Sequence, residues 1–316
     1  MFYPQNRFRF AIDKRRRIRV IIKLLVFLLL VGMGGTGIFF TTRWILRNLP
    51  VSKDEEHKAL LELWKQNQYD AIISTTEAKL QKNPMDSFYL TFHGFAQFYK
   101  GVNIPEADQK IQCMNKAVIS LRRANLHSSV PMAAEINYVL GKAYFHKGVA
   151  YYDLSAKYLE EALQKGFFQN DTYEYLGLAY LNLSDLEQAL KYFHLALERN
   201  PSDILLLTLG QTYDQQGQKE KAEEYLLRCV NMAQDSAVEQ KARFLLGDLY
   251  FQRKEYLKAE EHFQKVLALN PQDAEANFLL GEVYLAFGDS IKARSYWRRA
   301  VRINPKHYGA LKRLYG

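Results

Sequence analysis

Three glycines near the N-terminus form the most specific chemical motif in this chain. Gly32, Gly34 and Gly37 satisfy the pattern G-x-G-x-x-G, and Asp54 follows at a suitable distance. In a dinucleotide-binding fold, this pattern lets the backbone approach a pyrophosphate while an acidic residue binds the ribose. That chemistry requires a strand, a turn and a helix within a parallel sheet, whereas the residues from 53 onward have the pattern of helix pairs. We therefore interpret the glycines as part of an apolar segment and expect no nucleotide cofactor.

The other reactive side chains form no catalytic or metal-binding pattern. The seven histidines are dispersed and lack the spacing of metal ligands on a helix. Glu260, Glu261 and His262 are adjacent, but consecutive residues on a helix point in different directions. Nucleophile motifs, phosphate-binding loops and deaminase signatures are missing from the sequence. The sequence therefore predicts no enzyme activity, no metal and no cofactor.

A repeat of about 34 residues would position any functional side chain in this chain. In the last unit, Gly281 on the first helix is followed by Trp297 on the second, and the unit ends at Pro305. Pro271 ends the preceding unit 34 positions earlier. Small residues let two helices approach, large residues fill the gaps beside them, and proline stops the second helix. Each pair would then expose an apolar face that the next pair covers.

The sequence Leu-Gly-x-x-Tyr recurs on the first helix of five units. It begins at Leu140, Leu176, Leu209, Leu246 and Leu280. Over residues 53–307 the chain therefore resembles the tetratricopeptide repeat family. The resemblance implies an all-α fold, a right-handed α-solenoid of about seven helix-turn-helix units. Residues 308–316 are expected to form a C-terminal capping segment.

The units nearest the N-terminus depart from the pattern. After Gly94, the expected second helix, which contains Ala117, comes about ten residues late. The extra residues include Gly101, Asn103 and Pro105, which are typical of turns. The two cysteines of the chain lie in units separated by two others, which predicts buried free thiols.

In the tetratricopeptide family, the first helix of each unit lines a concave surface that binds partner proteins. At the corresponding positions this chain has aromatic side chains in its N-terminal units and more acidic ones farther on. The resemblance implies a partner-binding groove formed by Phe88, Phe95, Phe98, Tyr138, Phe145, Leu178, Leu181, Leu207, Asp214, Phe244, Asp248, Phe251, Phe278 and Glu282. Such a groove favours an apolar or basic peptide or helix. The alternative is that the aromatic rings only pack against neighbouring helices.

A second candidate surface lies close to the C-terminus. Residues 292–313 contain eight Lys or Arg and no acidic residue, and Arg294, Arg298 and Arg302 follow one another at intervals of four. This segment is either the solvated face of a capping unit or a docking surface for an acidic partner or an anionic lipid.

The N-terminal 50 residues carry the net charge of the chain. They contain ten Lys or Arg and one Asp, whereas the remaining residues contain 33 basic and 33 acidic ones. Residues 24–42 are uncharged and long enough to cross a bilayer core of about 30 Å. We therefore predict a basic cytoplasmic tail at 1–23, a transmembrane anchor at 24–42 and a linker at 43–52. A cleavable signal peptide is the alternative.

Together these features predict a membrane-anchored scaffold that mediates protein–protein interaction in the assembly of an envelope complex. The predicted location is the inner (cytoplasmic) membrane with the repeats in the periplasm, and the complex would be a secretion, outer-membrane or flagellar structure, the spirochaete flagellar collar included. The expected partners are other proteins and the membrane, and self-association is compatible with the sequence. No nucleic acid is expected, because the basic excess lies in the tail. A periplasmic anchored chaperone or holdase and an organelle-membrane receptor with cytosolic repeats remain alternatives.

Overall fold

The computed structural model describes residues 54–126, 130 and 132–316, and these residues form fifteen α-helices and no strand. The first seven helices are α1 (Asp54–Lys65), α2 (Tyr69–Lys82), α3 (Ser87–Val102), α4 (Ala107–Ala124), α5 (Ala133–Lys147), α6 (Tyr152–Gln164) and α7 (Thr172–Asn182). The other eight are α8 (Leu186–Arg199), α9 (Asp203–Gln215), α10 (Lys219–Met232), α11 (Ser236–Gln252), α12 (Tyr256–Leu269), α13 (Ala274–Ala286), α14 (Ser290–Ile303) and α15 (Tyr308–Tyr315).

The helices divide into two compact units that meet in sequence at Leu183 and Ser184. The first unit contains α1 to α7 and the second contains α8 to α15. Within each unit, consecutive helices pack as pairs, for example α3 with α4, α11 with α12 and α13 with α14. The prediction of an all-α fold built from repeated helix pairs is therefore confirmed.

The predicted tail at 1–23, anchor at 24–42 and linker at 43–52 lie outside the described residues, as do the three glycines of the G-x-G-x-x-G pattern. From Asp54 onward, none of the described helices combines the length and the apolar character that a membrane span requires.

Short side chains fix where many of the helices begin and end. The Ser202 hydroxyl accepts a hydrogen bond from the backbone N–H of Leu205 at 3.1 Å, and the Asp273 carboxylate accepts one from that of Ala276 at 2.9 Å. These bonds satisfy N–H groups that have no partner within the helix. Four second helices end at an asparagine that precedes proline, namely at Asn83, Asn200, Asn270 and Asn304.

Glycine lets the two helices of a pair approach closely. A Cβ atom added at Gly281 would lie 2.5 Å from Cδ1 and Nε1 of Trp297 and 3.1 Å from the carbonyl oxygen of Ala293. One repeat earlier, a Cβ atom at Gly247 would lie 2.7 Å from the ring of Phe263. The spacing of α13 and α14, and of α11 and α12, therefore depends on a residue without a side chain at these contacts.

The tyrosine three residues after each of these glycines connects neighbouring pairs. Tyr284 donates a hydrogen bond to Glu260 at 2.6 Å, and Tyr250 donates one to Glu223 at 2.6 Å. The ring of Tyr284 also stacks on Tyr296 of its own pair, with centroids 5.3 Å apart. The hydrogen bond to Glu260, together with burial, raises the pKa of Tyr284 to about 12. The sequence indicated the packing of these rings but not the acceptors of their hydroxyl groups.

The extra residues of the second predicted unit lengthen its helices and do not form a long loop. Helix α3 continues to Val102 and α4 begins at Ala107. Gly101, expected in a turn, lies inside α3, where an added Cβ would be 2.7 Å from Cβ of Cys113. This glycine therefore serves close helix packing.

Both cysteines, Cys113 and Cys229, are free and buried, as predicted. The Cys229 thiol contacts the carbonyl oxygen of Asp203 at 3.3 Å. Burial raises the pKa of this thiol to about 11, so the group stays protonated and acts as a small core side chain.

Replacing Gly281 with leucine should lower the free energy of unfolding by about 1–3 kcal/mol, because the new side chain overpacks the contact with Trp297. Urea unfolding of the full chain in detergent, followed by circular dichroism, measures this change. The control is Ala286→Leu, at an exposed position of the same helix. An unchanged midpoint for Gly281→Leu would contradict the close contact.

Candidate partner-binding surfaces

Three of the aromatic residues predicted to line the groove in the first unit are core residues. Phe95, Phe98 and Tyr138 are 2%, 1% and 3% exposed. Phe95 packs against Trp64 of α1, with ring centroids 6.0 Å apart, and Phe98 packs against His146 of α5 at 6.1 Å. Contrary to the predicted groove, neighbouring helices cover these rings, so they are not available to a partner.

The other predicted groove residues of the first unit are half-buried. Phe88 stacks on His57 with centroids 3.7 Å apart, and Phe145 meets the edge of Tyr175 at 5.1 Å. Leu178 and Leu181 lie on α7 and, like Phe88 and Phe145, are half-buried. These four side chains keep some surface accessible to solvent.

Polar side chains of α5 pair with Asp171, the residue just before α7. Lys142 donates to Asp171 at 2.7 Å, and the hydroxyl of Tyr138 donates to the other oxygen of the same carboxylate at 2.6 Å. The ammonium of Lys142 also lies 4.6 Å from the centre of the Tyr175 ring, a cation–π distance. A cavity lined by Trp64 and neighbouring rings has space for about one water molecule. Lys142, Tyr138 and Asp171 therefore find their partners within the first unit.

In the second unit, every predicted groove residue keeps some accessible surface. The seven residues lie on α9, α11 and α13 and are all half-buried: Leu207, Asp214, Phe244, Asp248, Phe251, Phe278 and Glu282. Three of them are acidic and follow one another at intervals of 34 residues, namely Asp214, Asp248 and Glu282. The repeat thus gives each of three first helices one acidic residue at the same position.

Helix α15 covers the last of these positions. Arg313 donates to both oxygens of Glu282, through Nε at 3.0 Å and Nη2 at 2.5 Å. Phe278 packs against the backbone of Gly309, where an added Cβ would lie 2.8 Å from its ring, and against the ring of His307 at 4.9 Å. Phe278 and Glu282, both predicted to bind a partner, are therefore engaged by a helix of the same chain.

The first acidic residue of the row is also paired. Lys219 donates to Asp214 at 2.6 Å and to the side-chain oxygen of Gln252 at 3.3 Å. The amide nitrogen of Gln252 in turn donates to Asp248 at 2.8 Å. Two carboxylates and one ammonium group therefore share a network through one glutamine.

Asp248 is the acidic residue of the row that no cation contacts directly among the described residues. Within the part of the chain that the structure describes, no Lys or Arg forms an ion pair with its carboxylate, which accepts the Gln252 amide. Burial, with a contribution from the charge of Asp214, raises the pKa of Asp248 above its usual range. The carboxylate is thus partly desolvated, and the nearby charge of Lys219, which does not contact it, offsets this cost only in part.

Apolar side chains accompany Asp248. Phe251, one turn farther along α11, packs against Tyr256 with centroids 5.7 Å apart, and Tyr256 meets Phe287 at 6.2 Å. Phe287 is 41% exposed, so part of this cluster faces solvent. A half-buried carboxylate one helical turn from a half-buried ring can bind a cation that has an apolar stem, which describes lysine and arginine.

Two residues that pair with the acidic row, Lys219 and Arg313, were absent from the predicted groove. The bond between Gln252 and Asp248 was not predicted either, although the spacing of four residues on one helix was a usable signal. Lys219 and Arg313 come from other helices, and their pairing depends on how those helices pack.

The predicted second surface lies on α14. Arg294, Arg298 and Arg302 are all exposed, and none forms an ion pair within the described residues. Arg313, by contrast, is held by Glu282.

Replacing Asp248 with asparagine should raise the urea midpoint at pH 7. Folding raises the pKa of Asp248 above the unfolded value of about 3.9. The protonated carboxyl therefore makes its full contribution to the free energy of unfolding below about pH 3.9. That contribution is lost as the pH rises through the pKa of Asp248 in the folded chain. Asparagine cannot ionise, so the gain of the variant over the parent should disappear in acid.

The matched control is Asp214→Asn, which removes the partner of Lys219 and should not raise the midpoint. A midpoint for Asp248→Asn at pH 7 that equals or falls below that of the parent chain would contradict an uncompensated carboxylate.

Comparison with known proteins supports the repeat architecture. Two family models, both described as tetratricopeptide repeat, match the chain, one at residues 207–273 and 244–308 and the other at residues 171–203. The antiviral innate immune response effector IFIT1 of Homo sapiens is 29% identical over a match that covers 36% of this chain. The chain spans only 28% of the length of that relative.

Solved structures share the helical fold. The C-terminal part of a TPR repeat-containing protein from Cytophaga hutchinsonii has a TM-score of 0.63 and 16% identity, covering 82% of this chain and 99% of that one. BtubC from P. vanneervenii has a TM-score of 0.50 and 21% identity, covering 64% of this chain and 92% of that one. At these identities the likeness concerns the fold alone. The chain therefore contains tetratricopeptide repeats, which the family models locate at residues 171–203 and 207–308.

Proposed function

We propose that this chain is a non-enzymatic scaffold whose second unit binds a basic segment of a partner protein at Asp248. The tetratricopeptide repeat is a fold that generally serves protein–protein interaction, which supports the general role. The observation that carries the specific proposal is the Asp248 carboxylate, half-buried and without a cationic partner among the described residues.

A lysine or arginine of the partner supplies the direct ion pair that Asp248 does not form within the described residues. Its ammonium or guanidinium group pairs with the carboxylate, and its methylene stem lies against the ring of Phe251, one turn farther along α11. Because burial already disfavours the ionised Asp248, pairing with a cation relieves a cost that the free protein bears. Complementary charge also orients the partner and increases the association rate.

We further propose that the scaffold is anchored in the inner membrane by residues 24–42, with the repeats in the periplasm, and that it assembles an envelope complex. The support is the uncharged stretch at 24–42 and the eight basic residues that precede it.

Site-specific photocrosslinking in cell membranes tests partner binding. The probe replaces Leu285, which is 37% exposed and lies 34 positions after Phe251. The control probe replaces Gln264, an exposed residue on α12. We expect one dominant crosslinked protein from position 285 and none from position 264.

The same crosslink should fall at least tenfold with Asp248→Lys, which repels a basic partner, and should persist with Asp248→Glu. An unchanged crosslink yield in the Asp248→Lys variant would exclude Asp248 as the binding site. A broad set of crosslinked clients in place of one dominant partner would favour the chaperone alternative.

The topology is tested separately. A reporter that is active only outside the cytoplasm should work when it is fused after Gly316, and carbonate washing should leave the protein in the membrane pellet. Activity of a cytoplasmic reporter alone would reverse the proposed orientation. Release of a shortened soluble form would establish cleavage of the N-terminal segment.

A further inference from the structure

One stripe of side chains along α14 is basic and exposed. Ile291, Arg294, Arg298 and Arg302 follow one another at intervals of three, four and four residues, which places them on one side of the helix. All four are exposed, and Ile291 is exposed to 83%. At about 1.5 Å per residue, the stripe is about 16 Å long.

The repeat fold does not require this charge. Residues 292–313 contain eight basic residues and no acidic one, whereas the equivalent residues one repeat earlier, 258–279, contain two basic and four acidic ones. For example, Arg294 of α14 lies 34 positions after Glu260 of α12, so one repeat has a base where the other has an acid. Since both helices fold in the same way, the basic stripe is an addition to the repeat.

The chain neutralises only a small part of this charge. Arg313 pairs with Glu282, and Lys292 lies 3.5 Å from Asp289. The six other basic residues of the segment form no ion pair within the described chain: Arg294, Arg298, Arg299, Arg302, Lys306 and Lys312. Uncompensated like charges repel one another, and an anionic partner relieves this repulsion.

We propose that this stripe is a second docking site, which binds an acidic amphipathic helix of a partner protein. A helix laid along α14 presents carboxylates at the same four-residue interval as the arginines. The planar guanidinium group forms two parallel hydrogen bonds to a carboxylate, which suits arginine better than lysine to this pairing. Ile291 adds an apolar contact at one end, and an apolar residue of the partner helix covers it.

The alignment along one helix favours a helical partner over a lipid surface. A bilayer offers anionic headgroups in a plane and needs no register between charges, so the four-residue interval of the arginines contributes nothing to lipid binding. Here three arginines share one helical stripe with an exposed isoleucine. This site does not involve Asp248 and is independent of the function proposed above.

Two synthetic helical peptides of identical composition test the proposal with the full chain in detergent. In the first, three glutamates follow a leucine at intervals of three, four and four residues, matching Ile291 to Arg302. In the second, the same residues are distributed around the helix. Fluorescence anisotropy at low and high salt measures the dissociation constants.

The aligned peptide should bind at least tenfold more tightly than the scrambled one. The triple variant Arg294→Glu, Arg298→Glu and Arg302→Glu should abolish that preference. Its control, Lys221→Glu, Lys258→Glu and Lys265→Glu, changes the net charge equally at exposed positions of α10 and α12 and should retain it. Circular dichroism checks that both variants remain helical.

Equal binding of the aligned and scrambled peptides would overturn the proposal, because it would indicate charge attraction without register. A preference for the aligned peptide that persists in the triple variant would also overturn it. If neither peptide binds, while phosphatidylglycerol vesicles retain the parent chain more strongly than the triple variant, the stripe is a lipid-binding surface and the proposal is wrong.

Discussion

The close contact of two helices at a glycine is the constraint on which the rest of this structure depends. At Gly281 the indole of Trp297 occupies the space that a side chain would take, and Gly247 has the same relation to Phe263. This contact sets the distance between the two helices of a pair and fixes which side of the first helix faces away from the second. Because the contact recurs with the repeat, residues 34 positions apart occupy equivalent places on successive pairs.

Equivalent places need not have equivalent surroundings, and the candidate site follows from that difference. In the second unit, Asp214 is paired with Lys219 and Glu282 with Arg313, whereas Asp248 between them accepts only an amide hydrogen bond among the described residues. A partly desolvated carboxylate without a directly paired cation lowers stability, and a chain selected for stability alone would replace it. Such local conflicts are typical of functional sites, where the missing interaction comes from a partner.

The sequence predicted the helix pairs and many of their ends, because these depend on local rules that small residues, capping residues and Asn-Pro pairs obey. It did not predict which groove residues are accessible. The positions of Phe95 and Phe98 on a first helix do not reveal that other helices cover them. Ion pairs such as Lys142 with Asp171 join residues 29 apart in sequence, and they depend on distances between helices that a periodic pattern does not supply. Gln252 is the exception, since its distance from Asp248 follows from helix geometry alone.

The ionisation of Asp248 is the most direct measure of whether this side chain is held ready for a cation. In the full chain in detergent, with aspartate labelled at the carboxyl carbon, an NMR titration compared with that of Asp248→Asn isolates its resonance. We expect Asp248 to titrate above the ordinary aspartate value of about 3.9, and its pKa to fall when the crosslinked partner, or its basic segment, is added. A pKa at or below the ordinary value in the free chain would mean that a cation already neutralises the carboxylate, and would contradict the proposed site.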